Sequence, residues 1–265
     1  MHAFEYHKPS SSKDAVSLAS KKSEARYLAG GQSLVQAMKL RLSSPSDLID
    51  LGASKDLTGI RVSGSTVEIG AMARHAEVAG SAEVKKAIPA LASLAGQIGD
   101  RQVRHMGTMG GSLANNDPAA DYPAALVALK ATVVTNRREV AAEEFFTGMF
   151  ETALDDDEIV TAVRFAKPKR AGYAKFPNPA SRYAMAGVFV ADYGSGEVRV
   201  AVTGAGDKVF RVEAMEQALA KDFSAQAIAA ITVPADACLS DMHASAEYRA
   251  HLVNVMAKRA VAAAG

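Results

Sequence analysis

The stretch YLAGGQSLVQAMKLRL, Tyr27 to Leu42, decides how this chain is read. The residues that lead into and open it, Ala25–Ala29, are extended and apolar, and Leu34, Val35, Met38 and Leu42 then recur at helical spacing. Between the two lie Gly30, Gly31 and Ser33. Paired glycines cost backbone entropy, so this bend is a place where something comes close to the main chain. Without a Cβ, an N–H can meet a bulky anion directly, and a helix starting here aims further unpaired N–H groups the same way. Ser33 adds a hydroxyl. The result is a nest suited to phosphate or pyrophosphate. A helix terminus contributes only about 0.3–2 kcal/mol, too little to hold a nucleotide by itself. The stretch is neither GxGxxG nor a P-loop, and taken alone it reads equally well as a ligand-free corner.

Working outward, the first fifty residues alternate strand and helix: Phe4–His7, KDAVSLASKK, Ala25–Ala29, the helix after Gly31, and DLIDL (Asp47–Leu51). This predicts a small α/β module over residues 1–54. A second module, 55–171, opens with two alternating runs around Ser63-Gly64-Ser65, a hairpin signal. Helical spacing follows over Ala76–Val84 and after Pro89, then a glycine-rich segment read as irregular. A helix at Ala124–Lys130, strands at Thr132–Thr135 and Glu158–Phe165, and a loop at EEFFTGMFET complete it. The third module, 172–265, has two strands joined by Gly-Ser-Gly and helices at Val212–Ala220 and Ala246–Ala263, the last with Asp241 and Ser245 as candidate caps. Three packed subdomains without a tether are expected, in an α+β fold.

Composition removes several classes. The chain has 265 residues, 49% hydrophobic and 22% charged, which is ordinary for a globular protein. A net charge of +1 gives no global attraction to nucleic acid. One cysteine, Cys238, excludes an intrachain disulfide, an iron–sulfur cluster or a cysteine-rich zinc site. The start MHAFEYHKPSSS lacks a signal-peptide core, and no apolar run reaches the roughly 18 residues of a membrane span. A soluble cytoplasmic protein is expected.

The segment HMGTMGGSLANNDPAADYP, His105 to Pro123, changes the balance. Donors are expected at Thr108 and around Gly110–Gly111, and carboxylates at Asp117 and Asp121. Sugar hydroxyls donate as well as accept, so a carboxylate suits a ribose or ribityl chain better than a phosphate. Asp121 also reads as the cap of the helix containing Pro123. His105 is read as a loop histidine that could reach a phosphate.

Together, AGGQSL, RxxxTMGGS and DYPAALVAL resemble the flavin-binding subunit of molybdenum hydroxylases. That family includes the medium chain of aerobic carbon monoxide dehydrogenase and the flavin domain of xanthine dehydrogenase. The resemblance runs from EYHKP through DEIVTAVRF to ASAEYRAHLVNVMAKRA, nearly the whole chain. It implies an FAD-binding fold of the PCMH/vanillyl-alcohol-oxidase type over two subdomains, followed by a C-terminal sheet-plus-helix subdomain. It also implies that Ala29, Gly30, Gly31, Gln32, Ser33 and Leu34 grip the FAD pyrophosphate together with Thr108, Met109, Gly110, Gly111 and Ser112. Asp121 matches the acidic position that follows, and Lys175 and Tyr183 align with positions near the isoalloxazine. Tyr183 would stack there, and a rim tyrosine opening a strand is the plain alternative. Val160 would line the ring or simply fill the core. Gln32 replaces a common histidine, Met109 a usual isoleucine and Ser112 a frequent Asn or Asp.

In such complexes a large molybdopterin subunit oxidises substrate and a small subunit with two [2Fe–2S] clusters relays the electrons. The resemblance therefore implies a flavoprotein subunit that passes electrons to an external acceptor, in a dimer of heterotrimers. A free-standing FAD-dependent oxidoreductase and a non-redox nucleotide-binding scaffold are the alternatives.

Overall fold

The computed structural model describes residues 1–264. An N-terminal lobe is built from β1 (Glu5–His7), α1 (Ser12–Ala19), β2 (Ala25–Leu28), α2 (Leu34–Lys39) and β3 (Asp47–Asp50). The strands form a parallel sheet ordered β1-β3-β2, with Tyr6 opposite Leu48 and Tyr27 opposite Ile49. Parallel neighbours need crossovers, which α1 and α2 supply. β3 is central and buried, whereas β2 is an edge. At the foot of β3, Asp47 takes Lys22 and His7, each at 2.7 Å. Lys22, then His7 and Ser46, hold its carboxyl well below the usual range.

The middle of the chain comprises β4 (Ile60–Ser63), β5 (Thr66–Gly70), α3 (His75–Gly80), α4 (Ala82–Ala87), α5 (Pro89–Gly96), α6 (Arg101–Met106), α7 (Met109–Asn115), α8 (Tyr122–Ala128), β6 (Thr132–Thr135), β7 (Glu139–Ala141), α9 (Ala142–Phe145), β8 (Phe146–Gly148), β9 (Glu151–Thr152) and β10 (Val160–Ala166). An antiparallel sheet runs β4-β5-β10-β6-β7, and β8 with β9 forms a separate hairpin. Three local expectations are corrected. The helix expected over 76–84 breaks at Ser81, whose hydroxyl accepts from Val84 N–H and so starts α4 afresh. The segment read as irregular holds two short helices between non-helical stretches, because Asp100 caps α6 and Thr108 caps α7. The stretch read as a loop at EEFFTGMFET holds α9 and the β8–β9 hairpin, anchored by Phe145 and Phe146, both buried and packed edge to face.

The C-terminal part has β11 (Arg170–Pro177), β12 (Ala184–Gly194), β13 (Glu197–Thr203), β14 (Phe210–Arg211), α10 (Glu213–Lys221) and α11 (Ala246–Ala263). Its antiparallel sheet runs in chain order. The turn between β12 and β13 places Gly194, Ser195 and Gly196 at positive φ. Of the two candidate caps, Ser245 starts α11 by accepting from Tyr248 N–H. Residues 184–192 of β12 are buried without alternation. The cause is cover on both sides, by α11 and by α8. Tyr173, Phe189 and Ala201 consequently join the same hydrophobic cluster as β5, β10 and α5, so the middle and C-terminal sheets share one core. Among the described residues, no helix is long and apolar enough to cross a membrane.

Candidate functional site

The partner of the Gly30 backbone is the second glycine bend. A Cβ on Gly30 would lie 2.1 Å from the Met106 carbonyl oxygen and 2.7 Å from Gly107 Cα. The corner after β2 thus packs main chain to main chain against the α6–α7 corner, a contact only glycine permits. Gly31 sits at φ 71°, where other residues are strained.

The two bends differ in what they offer. Among the described residues, the N–H groups of Gly30, Gly31, Gln32, Ser33 and Leu34 meet no protein acceptor, while the Gly31 and Ser33 carbonyls accept from Val35 and Ala37. The second bend is already satisfied. Met109 N–H donates to Ala73 O at 2.9 Å, Gly110 N–H to Ala71 O at 2.7 Å, and Ser112 N–H to Thr108 O at 3.1 Å. Gly111 N–H donates to the Thr108 hydroxyl at 3.2 Å. The expectation of amide donors around Gly110–Gly111 is therefore corrected: this bend offers the Thr108 and Ser112 hydroxyls and surface free of Cβ atoms. The Met109 side chain is fully buried and points into the core.

Both bends line a cleft of about 860 Å³ between the lobes. Ala29–Leu34, Thr108, Gly110, Gly111, Ser112, Asp121, Val160 and Tyr183 all line it, whereas Met109 and Lys175 do not. Tyr183 is 43% exposed, and Val160 is buried in the wall. Asp117 lines it too, accepting from Ala119 N–H at 2.9 Å. Its carboxyl is pushed up by burial. Asp121 does not cap α8 with its side chain. It accepts instead from the Tyr173 hydroxyl at 2.6 Å and pairs with Lys175 Nζ at 2.8 Å. Burial pushes the Asp121 carboxyl up and the Lys175 ammonium pulls it back. His105 lies on α6, exposed and outside the cleft lining.

Several lining residues were missed. Tyr27, inside the opening stretch, has a buried hydroxyl that meets no partner among the described residues. Burial, then Asp157, pushes that phenol up to about 12. His75 is 4% exposed, and among the described residues its Nδ1 also lacks a partner. Burial, and next Arg104, brings it down to about 4 and keeps it neutral. Nothing in ARHAEV marks it, since its place depends on the corner after β5. The β8–β9 hairpin contributes Thr147, Phe150, Glu151 and Thr152. Asn116 grips both arms, its amide donating to Gly148 O at 2.8 Å and Glu151 O at 2.7 Å. The Thr-Gly between aromatics was the available signal for that turn.

Comparison with known proteins fits this geometry. Residues 2–168 match the family described as "FAD binding domain in molybdopterin dehydrogenase", and residues 173–264 match "CO dehydrogenase flavoprotein C-terminal domain". The chain belongs to the FAD-binding medium subunits of the molybdenum hydroxylases. Among these medium subunits, it is 37% identical to the nicotine 6-hydroxylase medium subunit of Paenarthrobacter nicotinovorans, over 99% of this chain and 98% of that one. Identity is also 37% to the carbon monoxide dehydrogenase medium chain of Hydrogenophaga pseudoflava, covering 98% and 96%. In structure it is similar to reconstituted CO dehydrogenase from Oligotropha carboxidovorans, with TM-score 0.89, 35% identity and 99% and 98% coverage. Quinoline 2-oxidoreductase from Pseudomonas putida 86 follows at TM-score 0.85 and 26% identity, covering 99% and 97%.

The donor set fits the medium-subunit cofactor. A row of unpaired amides and two hydroxyls suits a diphosphate, and carboxylates nearby suit a polyhydroxyl chain. A cleft of 860 Å³ falls within the range of small-molecule and cofactor sites.

Proposed function

We propose that this cleft holds FAD and that the chain is the electron-exit subunit of a molybdopterin-dependent hydroxylase complex. The observation that carries this reading is the row of unpartnered amides from Gly30 to Leu34, set against the Thr108–Ser112 bend by a contact that tolerates no side chain. In it, Ala29–Leu34 with Thr108 and Ser112 hold the diphosphate, while Gly110 and Gly111 keep the wall low enough for it. Asp117, and Asp121 through its remaining lone pairs, face the sugar-alcohol chain. Ile98, Val160 and Tyr183 line the flat ring and exclude water from it. When bound, FAD supplies redox chemistry in one- or two-electron steps. The chain's own residues bind, orient and shield.

Among the described residues, no group of three or more His, Cys, Asp or Glu side chains could hold a metal ion. In this reading, which rests on the family, the molybdenum centre and [2Fe–2S] clusters belong to a large and a small partner subunit. The small subunit delivers electrons, this chain passes them to an external acceptor, and the assembly is a cytoplasmic dimer of heterotrimers. Titration of the purified chain with FAD should give a flavin band near ~450 nm that stays with the protein through gel filtration. Purification of the natural complex should bring down two further chains with molybdenum and iron. A chain that stays colourless with FAD, or that isolates alone without metal and turns over by itself, would overturn the reading.

A further inference from the structure

Lys175, expected near the isoalloxazine, has a side chain only 2% exposed and lies outside the cleft lining. An ammonium has three donor hydrogens, and here all three are used. Nζ meets Asp121 at 2.8 Å, the Gln97 carbonyl at 2.9 Å and the Arg182 carbonyl at 2.9 Å. A salt bridge would need only Asp121. The two carbonyls are the informative part, because one belongs to Gln97, next to the lining residue Ile98, and the other to Arg182, which lines the cleft beside Tyr183.

The Tyr183 turn needs such a fastening. Arg182 sits at φ 64°, a left-handed conformation that costs a non-glycine residue about 1–2 kcal/mol. Inside the turn, Asn178 bonds to Ala180, Ser181, Arg182 and Tyr183. That closes the loop on itself without attaching it to the cleft. Attachment comes from Lys175 to Arg182 O, and from Ala184 N–H to Ala119 O at 3.2 Å. The same ammonium also fixes the end of α5. Asp121 in turn is fixed by Tyr173 on β11, the strand that carries Lys175.

We infer that Lys175 is a positioning residue: without touching the cofactor, it ties the segment ahead of Ile98 and the turn carrying Tyr183 to one point and so holds these two parts of the cleft wall in place relative to each other. This rests on the FAD reading for the identity of the cofactor, while the latch itself stands on the three bonds.

The test uses the full chain with Lys175→Met, and Lys175→Met with Asp121→Asn, which removes both buried charges so that folding does not depend on an unpaired carboxylate. In wild type a ring held against Tyr183 has quenched flavin fluorescence. Both variants should bind FAD about tenfold more weakly, a loss of about 1.4 kcal/mol, with bound flavin several-fold brighter. In a Tyr183→Ala background, Lys175→Met should add no brightness. Unchanged brightness and affinity, or brightening on top of Tyr183→Ala, would overturn the inference. Hydrogen exchange on the unloaded chain reads the latch without FAD. The variants should open residues 97–99 and 178–184 together, and wild-type protection in both segments refutes the latch whether or not FAD binds. Loss of FAD binding by wild type itself would instead refute the function.

Discussion

Replacing Gly30 by alanine adds one methyl group where two main chains touch. Gly30 has no positive φ, so the backbone accepts alanine and the whole effect is steric. The new Cβ would stand 2.1 Å from the Met106 carbonyl oxygen, whereas ordinary contact begins at 3.4 Å. The bends must therefore part by about 1.3 Å. Both neighbours are main chain, with no side chain that can rotate away. A hydrogen bond spans only about 2.7–3.2 Å, so that displacement separates the Gly30–Leu34 amides from any group also held by Thr108 and Ser112. Losing two hydrogen bonds to a charged group, at about 1.5–3 kcal/mol each, weakens FAD binding by at least about 3 kcal/mol, more than about a hundredfold. Overpacking lowers stability by about 1–3 kcal/mol besides. Gly80→Ala is the matched control, since nothing lies within 4 Å of its added Cβ at the end of α3. It should gain up to about 1 kcal/mol from helix propensity and bind FAD as before. FAD titration by absorbance, with urea unfolding of the unloaded chains, measures both quantities. Wild-type affinity in Gly30→Ala would refute the view that contact between the bends builds the site.

Stability should fall with acid through His75. Its pKa, brought down to about 4, lies below the unfolded value near ~6.5, so the unfolded chain takes the proton first. Its contribution is complete above pH ~6.5 and shrinks by up to about 3 kcal/mol as pH falls toward ~4. Urea unfolding at several pH values should show a shallower loss over this window in His75→Gln; an identical loss would assign it elsewhere. Asn116→Gly keeps the left-handed backbone (φ 39°) but drops the amide that holds Gly148 and Glu151. It should cost about 1–3 kcal/mol, and Asn116→Ala about 1 kcal/mol more; equal costs would remove backbone strain from the account. Arg249 is 5% exposed, donates to Met185 O and Gly204 O at 2.8 Å each, and pairs with Asp241 at 2.6 Å. Arg249→Met leaves those two carbonyls without a donor and should cost about 2–4 kcal/mol, lowering Tm by about 10 °C, and an unchanged melting curve would contradict it.

The N-terminal lobe was legible because each of its elements is decided locally, by apolar spacing over short windows and by glycines at a corner. The need for close approach at Gly30 was legible too. What approaches it was not, because Met106 meets Gly30 only after the lobes have packed. Caps were harder. Asp100 and Thr108 look the same in sequence whether they bind a ligand or start a helix, and here both start helices. Asp121 is the reverse case: at a helix start by position, it turns its carboxylate to Tyr173 and Lys175, strand residues more than fifty positions away.

The same long-range logic separates the two glycine bends, which read alike as rows of free amides. β2 is an edge strand, so the corner following it has no neighbouring strand to take its N–H groups. The second bend lies against the chain just after β5, an interior strand, and the carbonyls of Ala71 and Ala73 accept from Gly110 and Met109. A count of glycines and donors along the sequence treats the bends as equal partners. Their places in the two sheets make the first the amide donor and the second the wall that fixes where those amides point.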